Sequence, residues 1–282
     1  MLRVFGFLFL AGCLAAGEKR ADIVFATVDG VSLKLDLYLP SREKASLVVY
    51  VHGGAWRSGN KDRIPLGTLV EAGYAVASVE YRLSTVARFP AQIHDLKAAI
   101  RFLRAKEKAY GYDARRITIT GSSAGAHLAT LVGVTNRDKA LEGRIGSNLE
   151  QSSDVQAIVS FFGASNLLTI LGQSTPAGAS MRSAALQLLL GAQPAENPEI
   201  AKLASPVYQV DAGDPPLLLL HGDKDPQMPI EQSREMEAKY RAMGLPVQME
   251  VVAGAGHGGA QFFDTERMRI VKAFLSGPAL VQ

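Results

Sequence analysis

A chain of 282 residues with 48% hydrophobic and 20% charged residues holds enough apolar material for a sizeable buried core, which excludes an intrinsically disordered chain. The 30 basic and 27 acidic residues leave a formal charge of +3 with no Lys/Arg run, so the charge pattern offers nothing for nucleic acid or another polyanion. A single cysteine, Cys13, excludes a disulfide framework and a Cys-based metal site.

The chain opens Met1-Leu2-Arg3, runs apolar over residues 4–11 and reaches Leu10-Ala11-Gly12-Cys13, a pattern that looks like a bacterial lipoprotein signal ending in a lipobox. The run is too short to span a bilayer and fits a signal-peptide core of roughly 7 to 15 apolar residues. The expectation is a signal segment over residues 1–17, lipidated at Cys13, on an exported bacterial protein. That protein would be periplasmic or an outer-membrane lipoprotein, touching the membrane only through the lipid anchor. Secretion with cleavage near Ala16-Gly17, or an uncleaved apolar start, are the other readings of the same residues.

A polar link over 18–22 precedes two alternating runs, 23–28 and 31–38, joined at Asp29-Gly30, a hairpin signal. The pattern then changes. Residues 47–51 read as a buried strand, 63–72 as a helix stopped by Gly73, and 74–79 as a strand. Pro90 opens a helix that keeps Ile93, Leu96, Ile100 and Leu103 on one face, with Gly111 beyond its end. A strand over 117–120, a small-residue helix over 124–134 and a buried strand over 155–162 follow. Residues 163–210 are loosely patterned, with an apolar helix near 184–190 and prolines at 176, 194, 198 and 206, and read as an inserted lid or pocket wall. A strand over 217–220, a helix over 230–243, a strand over 247–252 and a helix over 262–275 complete the chain. Strands alternating with helices predict an α/β domain over residues 18–282, its mostly parallel sheet of about eight strands covered by helices on both faces.

Four stretches carry chemistry. Gly121-Ser122-Ser123-Ala124-Gly125 is G-x-S-x-G between a strand and a helix, a sharp turn that lifts the Ser123 hydroxyl above the sheet end as a candidate nucleophile. His52-Gly53-Gly54-Ala55-Trp56 follows the strand over 47–51. Backbone N–H groups at Gly53 and Gly54, uncrowded by Cβ, together with the Ala124 N–H, can stabilise negative charge growing on a carbonyl oxygen. His221-Gly222-Asp223-Lys224-Asp225-Pro226 offers two carboxylates, Asp225 the choice for the acid and Asp223 its competitor. Ala255-Gly256-His257-Gly258 supplies a histidine able to reach Ser123 with one ring nitrogen and the acid with the other. The order Ser123, Asp225, His257 is that of α/β hydrolases.

Among the other histidines, His94 is expected to be solvated, His52 and His221 to make structural hydrogen bonds, and His127 to serve in the core or behind the nucleophile. Gly254-x-Gly256-x-x-Gly259 matches a dinucleotide fingerprint but lacks the following helix, strand and acid that such a site requires. No metal or cofactor motif occurs, and none is expected. Trp56, Ser122, Leu167 and Leu168 are the candidate substrate-pocket residues, with Leu167, Leu168, Ile170, Leu171 and the helix over 186–190 as the acyl-side wall.

Together with Phe89-Pro90-Ala91-Gln92, Asp95, His127-Leu128-Ala129 and Ser205-Pro206, these stretches resemble the BD-FAE-type esterases, bacterial relatives of the hormone-sensitive-lipase branch of the α/β hydrolases. The resemblance covers nearly the whole chain after residue 22. It implies the α/β-hydrolase fold with a small lid, Ser123 as nucleophile, Asp225 as acid, His257 as base, and Gly53, Gly54 and Ala124 at the oxyanion hole. It also implies hydrolysis of short-chain acyl or feruloyl-type esters, the partner being a small-molecule or oligosaccharide ester. Two positions depart from the family: Ala126 stands where a second Gly is frequent, and Ser165-Asn166 where Thr-Asp is frequent. An arylformamidase-like amide hydrolase and a non-catalytic surface binding protein of the same fold are the rival readings; the second would normally have lost one of the residues retained here.

Overall fold

The computed structural model describes residues 17–277. Cys13 and most of the expected signal segment lie outside the described residues. One eight-stranded sheet runs through the molecule in the order β1-β2-β4-β3-β5-β6-β7-β8. Its strands are β1 (Glu18–Val28), β2 (Val31–Leu39), β3 (Ser46–Val51), β4 (Ala75–Val79), β5 (Asp113–Ser122), β6 (Ala157–Phe161), β7 (Leu217–Gly222) and β8 (Val247–Val252). The β1–β2 and β2–β4 pairs are antiparallel, the first closed by the Asp29-Gly30 turn, and the remaining pairs are parallel.

The helices are α1 (Gly67–Glu71), α2 (Ala91–Ala105), α3 (Glu107–Tyr110), α4 (Ala124–Gly133), α5 (Lys139–Glu142), α6 (Ile170–Gln173), α7 (Pro176–Leu190), α8 (Pro198–Leu203), α9 (Pro206–Gln209), α10 (Glu231–Ala242) and α11 (Thr265–Ser276). Side chains of β3 alternate between two cores: Leu47, Val49 and Val51 pack in the larger cluster with Ile93, Leu96 and Leu128, while Val48 and Tyr50 join Leu69, Phe262 and Val271 on the opposite face. A strand buried on both faces has to be apolar throughout, which is why 47–51 reads as a continuous run rather than an alternation. The architecture is the expected α/β-hydrolase sheet with helices on both faces.

Four expectations change. Residues 18–22 are not a link but the start of β1, where Asp22 takes a positive φ of 57° and its N–H donates to Asp36 Oδ1 at 2.9 Å across a register shift. The helix expected over 63–72 is confined to α1, because Pro65 disfavours the helical region for Ile64, and the segment before α1 is irregular. The lid helix starts at Pro176 rather than near Ala184, with the Thr175 hydroxyl accepting from Gly178 N–H; its opening residues, Pro176-Ala177-Gly178-Ala179-Ser180, give no apolar period to read. His94, expected to be solvated, is half-buried, and its Nε2 has no hydrogen-bond partner among the described residues.

The strand order places the site. From β3 the chain passes to β4 on one side and then to β5 on the other, so the crevice at the carboxyl ends of β3 and β5 is a topological switch point. β3, β5, β7 and β8 run parallel, so the loops after them, bearing residues 52–56, 123, 225 and 257, gather at one edge.

Candidate functional site

Ser123 sits between β5 and α4 with φ 55° and ψ −120°, a sparsely populated conformation for a residue with a side chain. The surroundings hold it there. Its N–H donates to Phe161 O at 2.9 Å, and its carbonyl accepts from His127 N–H at 3.0 Å, starting α4. At Gly125 a Cβ would lie 2.1 Å from Val51 O and 2.4 Å from His52 O, so only glycine lets the elbow pack on the end of β3. The Ala126 methyl fits against Gly163, where a Cβ would come within 2.8 Å of it, so the departure from a second glycine is met by a glycine on the neighbouring loop.

Ser123 Oγ lies 2.8 Å from His257 Nε2, and His257 Nδ1 lies 2.6 Å from Asp225 Oδ2. The Asp225 side chain is fully buried, and its Oδ1 accepts N–H groups of Gln227 and Met228, both at 2.8 Å. Burial alone would raise the Asp225 pKa, but hydrogen bonding to His221 and His257, the charge of His257 and the Met228 N–H outweigh it and hold the carboxyl well below the ordinary range. His221 Nε2 is 2.9 Å from Met228 O and 3.5 Å from Asp225 Oδ2, so the carbonyl is its main partner, while its Nδ1 meets Ser233 Oγ at 2.7 Å. Asp223 is turned away, its Oδ1 accepting the Gly254 N–H at 2.7 Å. Ser123, His257 and Asp225 therefore form one hydrogen-bonded line from solvent to core.

The loop after β3 lies against the elbow. A Cβ on Gly53 would be 2.8 Å from Ser122 O and 3.4 Å from Ser123 Cβ, an approach that excludes any side chain. Gly54 follows with φ 114°, and Ala55 and Trp56 also take positive φ. The N–H groups of Gly53, Gly54 and Ala124 donate to no backbone acceptor among the described residues, which leaves three free donors on the glycine loop and the elbow.

One buried strut was not legible as such. Trp56 is 2% exposed, and its indole N–H donates to His127 Nδ1 at 3.0 Å; His127 Nε2 therefore carries the proton and donates to Ala204 O at 2.7 Å. Burial pushes the His127 pKa down to about 4, so the ring stays neutral and its tautomer is fixed by the two partners. The strut ties the glycine loop, the elbow helix and the inserted segment together. The pairing of Trp56 with a histidine one turn past Ser123 was the only sequence signal for it. Phe89, Gln92 and Asp95 are likewise structural: Asp95 holds the Arg82 guanidinium at 2.8 Å, and Gln92 Nε2 donates to two carbonyls.

A cavity of about 80 Å³ opens above Ser123, walled by Trp56, Ala124 and His257 and, from α7, by Met181, Arg182 and Ala185. Leu167 and Leu168, expected in this wall, lie elsewhere. Leu167 is fully buried in the larger core, its N–H donating to Ser205 Oγ, and Leu168 packs against that core. Ser122 also turns away from the cavity, accepting from Tyr50 OH at 3.3 Å. Asn166 spends its side-chain oxygen on the Leu168 N–H, and Gln232 Oε1 accepts the N–H groups of Ser165 and Asn166. The error has a physical origin: an apolar run after a strand reads the same whether it enters a core or lines a pocket.

The BD-FAE family profile matches residues 35–240. Esterase LipQ of Mycobacterium tuberculosis is 33% identical over 236 residues, 83% of this chain and 54% of the relative. A solved truncated carbohydrate esterase from gut microbiota superposes with a TM-score of 0.85 at 33% identity, over 94% of this chain and 97% of that one. A bifunctional GH43-CE protein of Bacteroides eggerthii gives a TM-score of 0.83 at 35% identity, over 93% of this chain and 35% of that one. The chain spans about half the length of the curated relatives it matches. The matched segment runs from within β2 into α10 and carries the elbow, the glycine loop and Asp225. The chain belongs to the BD-FAE family of α/β hydrolases.

Proposed function

We propose that this protein is a serine carboxylesterase acting through an acyl-enzyme intermediate. The observation that carries the reading is the unbroken line Ser123 Oγ–His257–Asp225 beside unpaired backbone donors. His257 Nε2 takes the Ser123 proton as Oγ bonds to the ester carbonyl carbon. The resulting oxyanion is met by the N–H groups of Gly53, Gly54 and Ala124, and the buried Asp225 carboxylate stabilises the imidazolium. Collapse breaks the bond to the alkoxy oxygen, which leaves as alcohol with the His257 proton. Water, deprotonated by the same ring, then attacks the acyl-enzyme and releases the carboxylic acid. The esterase names of LipQ and of the gut carbohydrate esterase support the reaction class, and the second supports an ester borne on a saccharide.

The small cavity favours short acyl groups or the end of a hydroxycinnamoyl group over a long chain. One methylene in an apolar pocket is worth roughly 1 to 3 kcal/mol, so acetyl or butyryl p-nitrophenyl esters are expected to exceed palmitoyl by at least about tenfold in kcat/KM. A chain-length series on the purified protein measures this. A palmitoyl preference would overturn the short-chain reading.

For location, the reading is export and lipidation at Cys13, supported by the Leu10-Ala11-Gly12-Cys13 pattern. Two or more acyl chains anchor stably where one is marginal. Expressed in a bacterium, the wild type is expected in the membrane fraction and Cys13→Ser in the soluble one; identical partitioning of the two rules the anchor out.

A further inference from the structure

The cavity above Ser123 has an uneven charge. Its wall contains two arginines, Arg57 and Arg182, and no carboxylate. Arg57 is exposed at the mouth. Arg182 is only 8% exposed, on the turn of α7 that covers the cavity. Its Nη1 is held by Ser174 Oγ, and more weakly by Gly178 O at 3.4 Å; the Ser174 hydroxyl donates in turn to Ile170 O. That fixes one corner of the guanidinium.

The other corner is free. A guanidinium has five N–H donors, and the three on Nε and Nη2 are taken up by no described residue. Neither atom is among the buried polar atoms sealed off without a partner, so both keep some solvent contact, and Arg182 is one of the residues that wall the cavity. Arg182 forms no ion pair with any described carboxylate. Burial pulls its pKa down and the field of Asp225 pulls it partly back, yet Asp225 already spends both oxygens on His257 and on two backbone N–H groups. A nearly buried cation without an acid beside it costs stability unless a ligand supplies the counter-charge. The Nε/Nη2 edge presents the parallel pair of donors that a carboxylate accepts in bidentate fashion.

We propose that Arg182, helped by Arg57 at the mouth, selects esters that carry a carboxylate on the group seated under α7, so that the substrate class is an acidic ester rather than a neutral one. The proposal rests on the esterase reading above and narrows its substrate. The carboxylate can belong to the acyl part, as in a dicarboxylic acid hemiester, or to the alcohol part, as in an acylated uronic acid.

Two matched pairs separate these sources on the purified wild type at low salt. Monoethyl succinate against ethyl levulinate places the charge on the acyl side, and 4-acetoxybenzoate against 4-acetoxyacetophenone places it on the alcohol side. In one of the pairs the anionic member is expected to exceed its neutral partner by about tenfold or more in kcat/KM, the usual worth of a hydrogen-bonded charge. That ratio is expected to fall towards one in Arg182→Gln and to be partly kept in Arg182→Lys. Ratios at or below one in both pairs for the wild type overturn the proposal, and this measurement stands even if a variant fails to fold. Arg182→Gln lowering both members equally, with the ratio unchanged, overturns it too, because Arg182 would then act only by steadying Asp225. A wild type that hydrolyses none of the four esters sinks the esterase reading instead, whereas neutral hydrolysis without anionic preference sinks only the selection.

Discussion

Replacing Ser123 with Ala is expected to abolish ester turnover in a protein that still folds. In the proposed mechanism the hydroxyl is the group whose oxygen bonds to the carbonyl carbon, and no other hydroxyl described in the structure lies within hydrogen-bond reach of His257. The loss is expected to approach the full contribution of the catalytic line, about 10⁶ in kcat, because removing one member of such a unit costs nearly as much as removing all of it. A residue of about 10³ to 10⁴ over the uncatalysed rate remains for the backbone donors and substrate positioning. Folding is expected to survive, since the elbow is held by the Ser123 N–H to Phe161 O and the His127 N–H to Ser123 O bonds, neither of which uses the side chain. Titrating both proteins with the same ester, alongside a thermal unfolding curve, decides the matter. A folded Ser123→Ala protein that keeps more than a few per cent of wild-type turnover is incompatible with Ser123 as nucleophile.

The second large effect separates two aspartates two residues apart. Asp225→Asn is expected to lower kcat by about 10⁴, the scale seen when the acid of a serine triad becomes an amide and the histidine is held in the wrong tautomer. His257 Nδ1 would then face either an amide N–H, which cannot accept its proton, or an amide oxygen without the negative charge that stabilises the imidazolium. The carboxylate is fully buried and anchored by the Gln227 and Met228 N–H groups, and no other carboxylate among the described residues pairs with His257. Asp223→Asn is expected to cost less than about tenfold, since an amide oxygen can still accept the Gly254 N–H that Asp223 binds. Both variants should be assayed at one pH with one ester. Equal small losses would exclude Asp225 as the acid and point to another carboxylate.

Much of the site was legible because its chemistry needs particular residues in particular local settings. A strand ending in G-x-S-x-G and running into a small-residue helix can make only a few turns, and the Ser123 conformation is one that the flanking glycines make room for. Glycines 53 and 54 follow a buried strand for the same reason, since a donor loop must approach the elbow without Cβ atoms. Asp225 and Asp223 were harder to separate. Both lie on one loop with the same local sequence character, and the choice depends on which side chain faces His257, 32 residues further on.

The pocket was where local reading failed. Leu167 and Leu168 followed a buried strand and were apolar, yet they enter the core, and the wall comes from α7 through Met181, Arg182 and Ala185. Arg182 stands in a stretch of small residues whose helical period could not be read, so nothing marked it as facing a cavity. The Trp56–His127–Ala204 strut has the same character, joining three elements that are far apart in the chain.

The sequence by itself determined the strand and helix alternation, the edge of the sheet at which the chemistry gathers, and the identities of the elbow serine, the histidine and the glycine loop. Those follow from short-range rules: side-chain period, the φ/ψ demands of tight turns, and the fact that parallel strands put the loops after them at one end. Only the tertiary structure decided which aspartate meets His257, which lid residues wall the cavity, and that a nearly buried guanidinium lies there without an acid beside it. Such facts depend on distances between segments dozens of residues apart, set by how two cores pack on opposite faces of the sheet, and no local pattern encodes them.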